Sequence, residues 1–278
     1  MPTVNTGTEA GSGITLHYED TAGAGRPVVL IHGWPLSGAA WKDNIPDLAA
    51  AGYRVVAYDR RGFGRSGKPF TGYDYDTLSD DLAALLERLD LTDVTLVGFS
   101  MGGGEVARYL ARHGADRVHS VVFASAVPPY LLNTSDNPDG PLRKTEAAKM
   151  TAQLTANTDR FFDDFVTTFF TANDRLVVTE EQRQEALALT TQTSRAAALE
   201  TMAAFGFTDF RKDLATVTVP TLVIHGDADA TVPFEGSGRR THEAIPHSEL
   251  HVVAGGPHGI NVSHREEFDR VLVDFLAR

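Results

Sequence analysis

Val94-Thr-Leu-Val-Gly98-Phe-Ser100-Met-Gly102-Gly-Gly-Glu105-Val-Ala-Arg-Tyr109 is a Val-rich run that ends in a G-x-S-x-G pattern and passes almost without a loop into a stretch of helical character. A serine hydroxyl is a weak nucleophile unless it is held in the open beside a base. A sharp strand-to-helix turn presents it that way by forcing a strained backbone that only small flanking residues tolerate, and Gly98 and Gly102 supply the room. The five-residue pattern alone arises by chance in about one chain in ten of this size, but a strand before it and a helix after it lift it well above that rate. The helix start behind Ser100 also offers the backbone N–H of Met101, aimed where an oxyanion would form.

Outward from this turn, short Val/Ile/Leu runs ending in Gly, Asp or Ser predict strands at residues 14–18, 27–32, 54–59, 94–98, 119–124, 221–225 and 250–253. They alternate with segments of helical period, the pattern of an α/β parallel sheet covered on both faces. Residues 77–89 place Leu78, Leu82, Leu85, Leu86 and Leu89 on one stripe, with Thr77 and Asp80 as a capping pair, and further helices are expected over 101–113 and 263–276. The alternation stops from Pro128-Pro129 to about Val217, where helical patterns occur without a strand run. The expected organisation is therefore a core of residues 1–127 and 217–278, with residues 128–216 as a helical cap.

Eight of the 15 Phe fall between Phe161 and Phe210. Phe161, Phe162, Phe165, Phe169 and Phe170 share one helical face, which suits packing of the insertion onto the core or the wall of an apolar pocket.

Ser100 needs a base and an orienting acid at the same sheet edge. The strand Thr221-Leu-Val-Ile-His-Gly ends in Asp227-Ala-Asp229, and the last strand ends in Gly255-Gly-Pro-His258-Gly259. Both sites lie at carboxyl ends of parallel strands, where open sheets carry their active sites. Asp227 follows the strand directly and suits bracing of the loop, so Asp229 is the expected acid and His258 the expected base. His225 reads as a core residue inside its strand, and the other histidines on strand bodies or polar helix faces read as structural or solvated. The strand over 27–32 runs into Gly33-Trp34-Pro35, which makes the Trp34 N–H the second expected oxyanion donor.

Gly62-Phe-Gly64-Arg-Ser-Gly67 fits G-x-G-x-x-G, but a dinucleotide site needs a helix to start there, and Lys68-Pro69 and Thr71-Gly72 follow instead. Asp59, Arg60 and Arg61 are expected to brace this loop. No metal-ligand spacing is present, so neither cofactor nor metal is expected.

Composition narrows the partners. The 278 residues are 42% hydrophobic and 22% charged, with a formal charge of −12 that repels phosphate backbones and anionic lipid, so neither nucleic acid nor a membrane is an expected partner. Cysteine is absent, which removes thiolate ligands and a thiol nucleophile. A polar start and the lack of an apolar span point to the cytoplasm, and a homo-oligomer is compatible with the sequence.

With these residues placed, the chain resembles the α/β-hydrolases along nearly its whole length, and within them the bacterial cofactor-free haloperoxidases, or perhydrolases, and their aryl-esterase relatives. The likeness is carried by His32-Gly-Trp-Pro35, Tyr58-Asp-Arg-Arg-Gly-Phe-Gly-Arg-Ser-Gly67, Val97-Gly-Phe-Ser-Met-Gly-Gly-Gly-Glu-Val-Ala-Arg-Tyr109 and Val232-Pro-Phe234. It implies an eight-stranded, mostly parallel sheet with a helical cap after the sixth strand, and a Ser100, Asp229, His258 triad with Trp34 and Met101 amides as the oxyanion hole. It further implies that an acyl-enzyme made from a small ester or carboxylate passes to water or to hydrogen peroxide, the peracid then oxidising halide. Pro35 matches the perhydrolase-like members, either shifting the Trp34 backbone that faces the acyl group or stiffening the loop. Pro35, Phe162 and Val232 are the expected pocket residues. The same triad could also serve amide, lactam or carbon–carbon bond hydrolysis, and the fold could serve as a non-catalytic small-molecule receptor.

Overall fold

A computed structural model describes residues 2–9 and 12–278. In chain order its first elements are β1 (Thr3–Glu9), β2 (Ser12–Asp20), β3 (Pro27–Ile31), α1 (Ile45–Ala50), β4 (Arg54–Tyr58), α2 (Tyr75–Arg88), β5 (Val94–Phe99), α3 (Met101–His113) and β6 (Val118–Ala124). Then follow α4 (Lys144–Ala156), α5 (Thr158–Phe169), β7 (Thr171–Ala172), β8 (Arg175–Leu176), α6 (Glu180–Thr190), α7 (Arg195–Phe207) and α8 (Arg211–Leu214). The chain closes with β9 (Thr221–Gly226), α9 (Gly238–Ala244), β10 (Glu249–Val253), α10 (Ile260–Ser263) and α11 (Arg265–Leu276).

Eight strands form one sheet in the order β1-β2-β4-β3-β5-β6-β9-β10. The pairs β1·β2 and β2·β4 are antiparallel and the rest are parallel. The continuous apolar runs of β3, β4 and β5 follow from burial on both faces: Val29, Ile31, Val56 and Leu96 join one core cluster, while Val28, Leu30, Val55 and Val97 join the other. Helices α2 and α3 pack on the first face, and α11 lays Phe268, Leu272 and Phe275 on the second. Among the described residues, no helix is long and apolar enough to cross a membrane.

Three details differ from the sequence reading. The polar strand β1 carries Val4 as a buried residue among exposed and half-exposed neighbours, so it gives no apolar signal and is held by backbone pairing to β2. Helix α2 starts earlier than expected, because the Asp74 carboxylate accepts the Thr77 N–H at 2.9 Å and its hydroxyl at 2.9 Å, displacing the Thr77–Asp80 pair as the cap. The segment between β6 and β9 holds a hairpin of two-residue strands, β7–β8, turned by Asn173 and Asp174 at φ 49° and 60°, which a search for strand-length runs does not see.

Helix α11 also buries a carboxylate. Asp269 is 5% exposed, its Oδ1 accepts from Asn44 Nδ2 at 2.7 Å, and its Oδ2 has no partner among the described residues. Burial pushes its pKa up to about 6, against the pull of the Asn44 bond and with help from neighbouring Asp47. Because the folded value lies above that of the unfolded chain, the folded state binds the extra proton, and stability falls as pH rises from about 4 to 6. Asp269→Asn is expected to raise the unfolding free energy by about 1–3 kcal/mol at pH 8 and far less at pH 4. Urea titrations at the two pH values check this, and an equal change at both would contradict it.

Candidate active site

Strand β5 ends at Phe99 and α3 begins at Met101, which leaves Ser100 as the single residue between them at φ 54°, ψ −118°. That left-handed backbone strains any residue with a side chain. It is held by three bonds: Ser100 N–H donates to Ala124 O at 2.8 Å, and Ser100 O accepts from Gly103 and Val127 at 3.0 and 3.1 Å. A Cβ on Gly98 would stand 2.6 Å from Gly102 O, and one on Gly102 would stand 2.7 Å from Ile31 O, so both positions are closed to other residues by backbone. Ser100 is 5% exposed.

The loop after β10 brings His258 across to this turn. Its Nε2 is 2.8 Å from Ser100 Oγ and its Nδ1 is 2.6 Å from Asp229 Oδ2. Asp229 Oδ1 accepts from the Thr231 and Val232 amides at 2.9 and 2.7 Å. Burial alone would raise the Asp229 pKa, but the His258 charge and the bonds from His225 and His258 bring it down to about 2. An ionised carboxylate can only accept, so Nδ1 of His258 carries a proton, and in the neutral ring Nε2 is left to take one from Ser100. Asp227 lies apart and accepts the Gly255 N–H at 2.6 Å, bracing the His258 loop.

Sequence reasoning missed the part His225 plays. His225 is not merely a core histidine at a strand end: its Nε2 lies 3.3 Å from Asp229 Oδ2 and 2.8 Å from Val232 O, so it helps hold the acid that holds His258. The i, i+4 spacing of His225 and Asp229 was the available signal.

At the opposite side, His32 is fully buried between two groups. Its Nδ1 meets Gly33 O at 2.8 Å, and its Nε2 accepts the Arg60 N–H at 3.0 Å. Burial and the nearby Arg60 charge lower the His32 pKa well below its ordinary value, so the ring is neutral and Nδ1 donates. In a trans peptide the carbonyl and the next N–H point opposite ways, so pinning Gly33 O sets the direction of the Trp34 N–H. Arg60 in turn donates to His32 O at 2.8 Å and to Glu105 on α3 at 2.7 Å, and Tyr58 also bonds Glu105. Asp59 accepts from the Gly38 and Arg65 amides, each at 2.8 Å. No acceptor among the described residues is paired with the Trp34 or Met101 N–H.

An apolar cavity of about 250 Å³ opens over Ser100, walled by Trp34, Val127, Leu131, Phe165, Phe205 and Val232 among others. Of the three expected pocket residues, Val232 lines this cavity and Phe162 and Pro35 do not. Phe162 is 4% exposed and packs edge-on to Trp34 at 5.7 Å, behind the wall. Pro35 presents its carbonyl to Thr193 Oγ1 at 2.8 Å. Phe161, Phe165 and Phe205 close the ring around Trp34 at 5.0–6.1 Å. Met150, Phe165, Ala230 and Thr231 also line an adjoining cavity of about 490 Å³ whose other lining residues come from α4, α5 and the turn between them.

A family model described as alpha/beta hydrolase fold matches residues 26–264. The chain belongs to that family. Its similarity to the non-heme chloroperoxidase CPO-A1 of Kitasatospora aureofaciens is 44% identity over 96% of this chain and 97% of that protein. The bifunctional esterase/perhydrolase of Acinetobacter calcoaceticus is 36% identical over 95% of this chain and 96% of its own. Among solved structures, a bromoperoxidase from Bacillus anthracis superposes with a TM-score of 0.96 at 49% identity, covering 100% of this chain and 99% of that one. This α/β-hydrolase therefore sits among the haloperoxidase and esterase members of its family, as the sequence motifs lead one to expect.

Proposed function

We propose that this α/β-hydrolase is a serine esterase that also makes peracids, with Ser100 as nucleophile, His258 as general base and acid, and Asp229 as the residue that fixes the imidazole. The observation that carries the reading is the hydrogen-bonded line from Ser100 Oγ to His258 at 2.8 Å and on to Asp229 at 2.6 Å. Ser100 Oγ adds to the carbonyl carbon of a small ester while its proton passes to His258 Nε2. The oxyanion that forms is met by the Trp34 and Met101 amides. Collapse expels the alcohol, which takes the proton from His258, and leaves an acyl-enzyme. A water molecule then loses its proton to His258 and adds to the acyl carbon, and collapse breaks the bond to Ser100 Oγ, which takes that proton back as the carboxylic acid leaves. When hydrogen peroxide adds in its place, the product is a peracid, whose terminal oxygen passes to halide; the halide is oxidised by two electrons and the peracid is reduced to the acid. A free carboxylic acid enters the cycle when Ser100 Oγ adds to its carbonyl carbon and the acid's hydroxyl leaves as water, taking the serine's proton from His258. The compact, apolar cavity favours short acyl groups.

The test is bromination of an acceptor by bromide and peroxide, run with and without acetate beside p-nitrophenyl acetate hydrolysis. Bromination that depends on acetate is the expected result. Bromination at the same rate without any carboxylate or ester would sink the peracid route while leaving the esterase reading to be judged by hydrolysis.

A further inference from the structure

The wall of the cavity over Ser100 is apolar or aromatic almost throughout, with Trp34, Phe165 and Phe205 as its rings. Among the described residues that line it, Glu146 is the one that carries a charge. Glu146 stands in the first turn of α4, where its Oε2 accepts the Arg143 N–H at 3.1 Å and closes the N-terminus of the helix. That bond leaves the charge uncompensated, for no cationic side chain among the described residues lies within ion-pair distance of Glu146. The adjoining cavity adds Arg160 and Asp164, which face each other at 3.7 Å and largely cancel at a distance. Glu146 is exposed, whereas Trp34, Ser100 and Val232 are buried, so it belongs to the open end of the cavity, the end from which the alcohol of an ester leaves.

An anion brought to this wall gives up water for apolar surface and is repelled by Glu146. A quaternary ammonium gives up far less, because methyl groups already cover its charge, and it is attracted by the carboxylate and by aromatic rings alike. The overall charge of −12 acts in the same direction on approach. We propose that Glu146 makes this site selective for charge, so that the preferred esters are those of small alcohols that carry an ammonium group. This rests on the ester chemistry proposed for Ser100 and names the class of alcohol that chemistry serves.

The test compares kcat/KM for three acetate esters of similar length: acetylcholine, its uncharged isostere neohexyl acetate, and the anionic O-acetylisethionate. Each value is taken relative to the ester's own hydroxide-catalysed hydrolysis, which removes differences between the leaving groups. The expected order is cation, neutral, anion, with each step about three- to tenfold at low ionic strength and smaller in added salt. Glutamine can make the same cap, so Glu146→Gln keeps the start of α4 closed. It is expected to shrink each step by about three- to tenfold, and Glu146→Lys to invert the order. A residue that only capped the helix would leave the ratios among the three esters unchanged in Glu146→Gln.

Unchanged ratios in that variant, or a parent enzyme that prefers the neutral or the anionic ester, overturn the proposal. So does failure to hydrolyse all three esters while p-nitrophenyl acetate turns over. Failure on p-nitrophenyl acetate as well refutes the ester chemistry itself, and this selectivity with it.

Discussion

Ser100→Ala is expected to lower kcat for p-nitrophenyl acetate by about 10⁴- to 10⁶-fold, the range seen when a serine nucleophile is removed and only the oxyanion donors and binding remain. Acetate-dependent bromination is expected to fall with it, because both products pass through the same acyl-enzyme. The fold supplies an internal control. Alanine carries a Cβ like serine, so at φ 54° it inherits the same strain and should leave the thermal midpoint nearly unchanged. Ser100→Gly relieves that strain and is expected to stabilise by about 1 kcal/mol while being equally inactive. Steady-state rates with thermal unfolding of the two variants decide the matter. Hydrolysis in Ser100→Ala within tenfold of the parent rate would exclude Ser100 as nucleophile.

The largest expected loss of stability follows from Glu105→Ala. Glu105 and Arg60 are 0% and 1% exposed and meet at 2.7 Å, so deleting the carboxylate leaves a guanidinium buried without its charge partner. Burial pushes the Glu105 pKa up, while Arg60 and Tyr58 draw it back, so the acid depends on these partners as much as they depend on it. Breaking a buried pair from one side costs about 3–5 kcal/mol, which for a chain of this length lowers the midpoint by about 10 °C. Arg60 also holds the carbonyl and ring of His32, so kcat should drop more than KM rises. Replacing both members, Arg60→Met with Glu105→Leu, should recover most of the stability without the activity. A midpoint for Glu105→Ala within about 2 °C of the parent would show that the pair contributes little.

Much of this architecture is legible from the chain because strand ends are where apolar runs stop. Gly98, Asp227-Ala-Asp229 and Gly255-Gly-Pro-His258 mark three such ends, and the structure brings Ser100, Asp229 and His258 into one hydrogen-bonded line there. What escapes the sequence depends on contacts between distant residues. Glu105 sits in the middle of α3, where a carboxylate ordinarily faces water; only Arg60, 45 positions earlier, explains its burial. Phe162 and Phe165 share a helical face, but one turn of that face points behind Trp34 and the next toward the cavity, a distinction periodicity does not carry. Strand β1 is invisible because an edge strand can be held by backbone bonds with little apolar surface.

The polar atoms around Ser100 are held from the sheet side: Asp229 by the turn after β9, His258 by the loop after β10, and His32 by Arg60 and α3. The helices between β6 and β9 contribute the rings of Phe165 and Phe205 to the cavity, with backbone acceptors such as Ala198 O for Trp34 Nε1 at 3.1 Å. The hydrogen-bonded line at Ser100 is thus built wholly from residues before Ala126 and after Val219, while the wall of the cavity is shared, with Phe165 and Phe205 from the intervening stretch set against Trp34 and Val232 from either side of it.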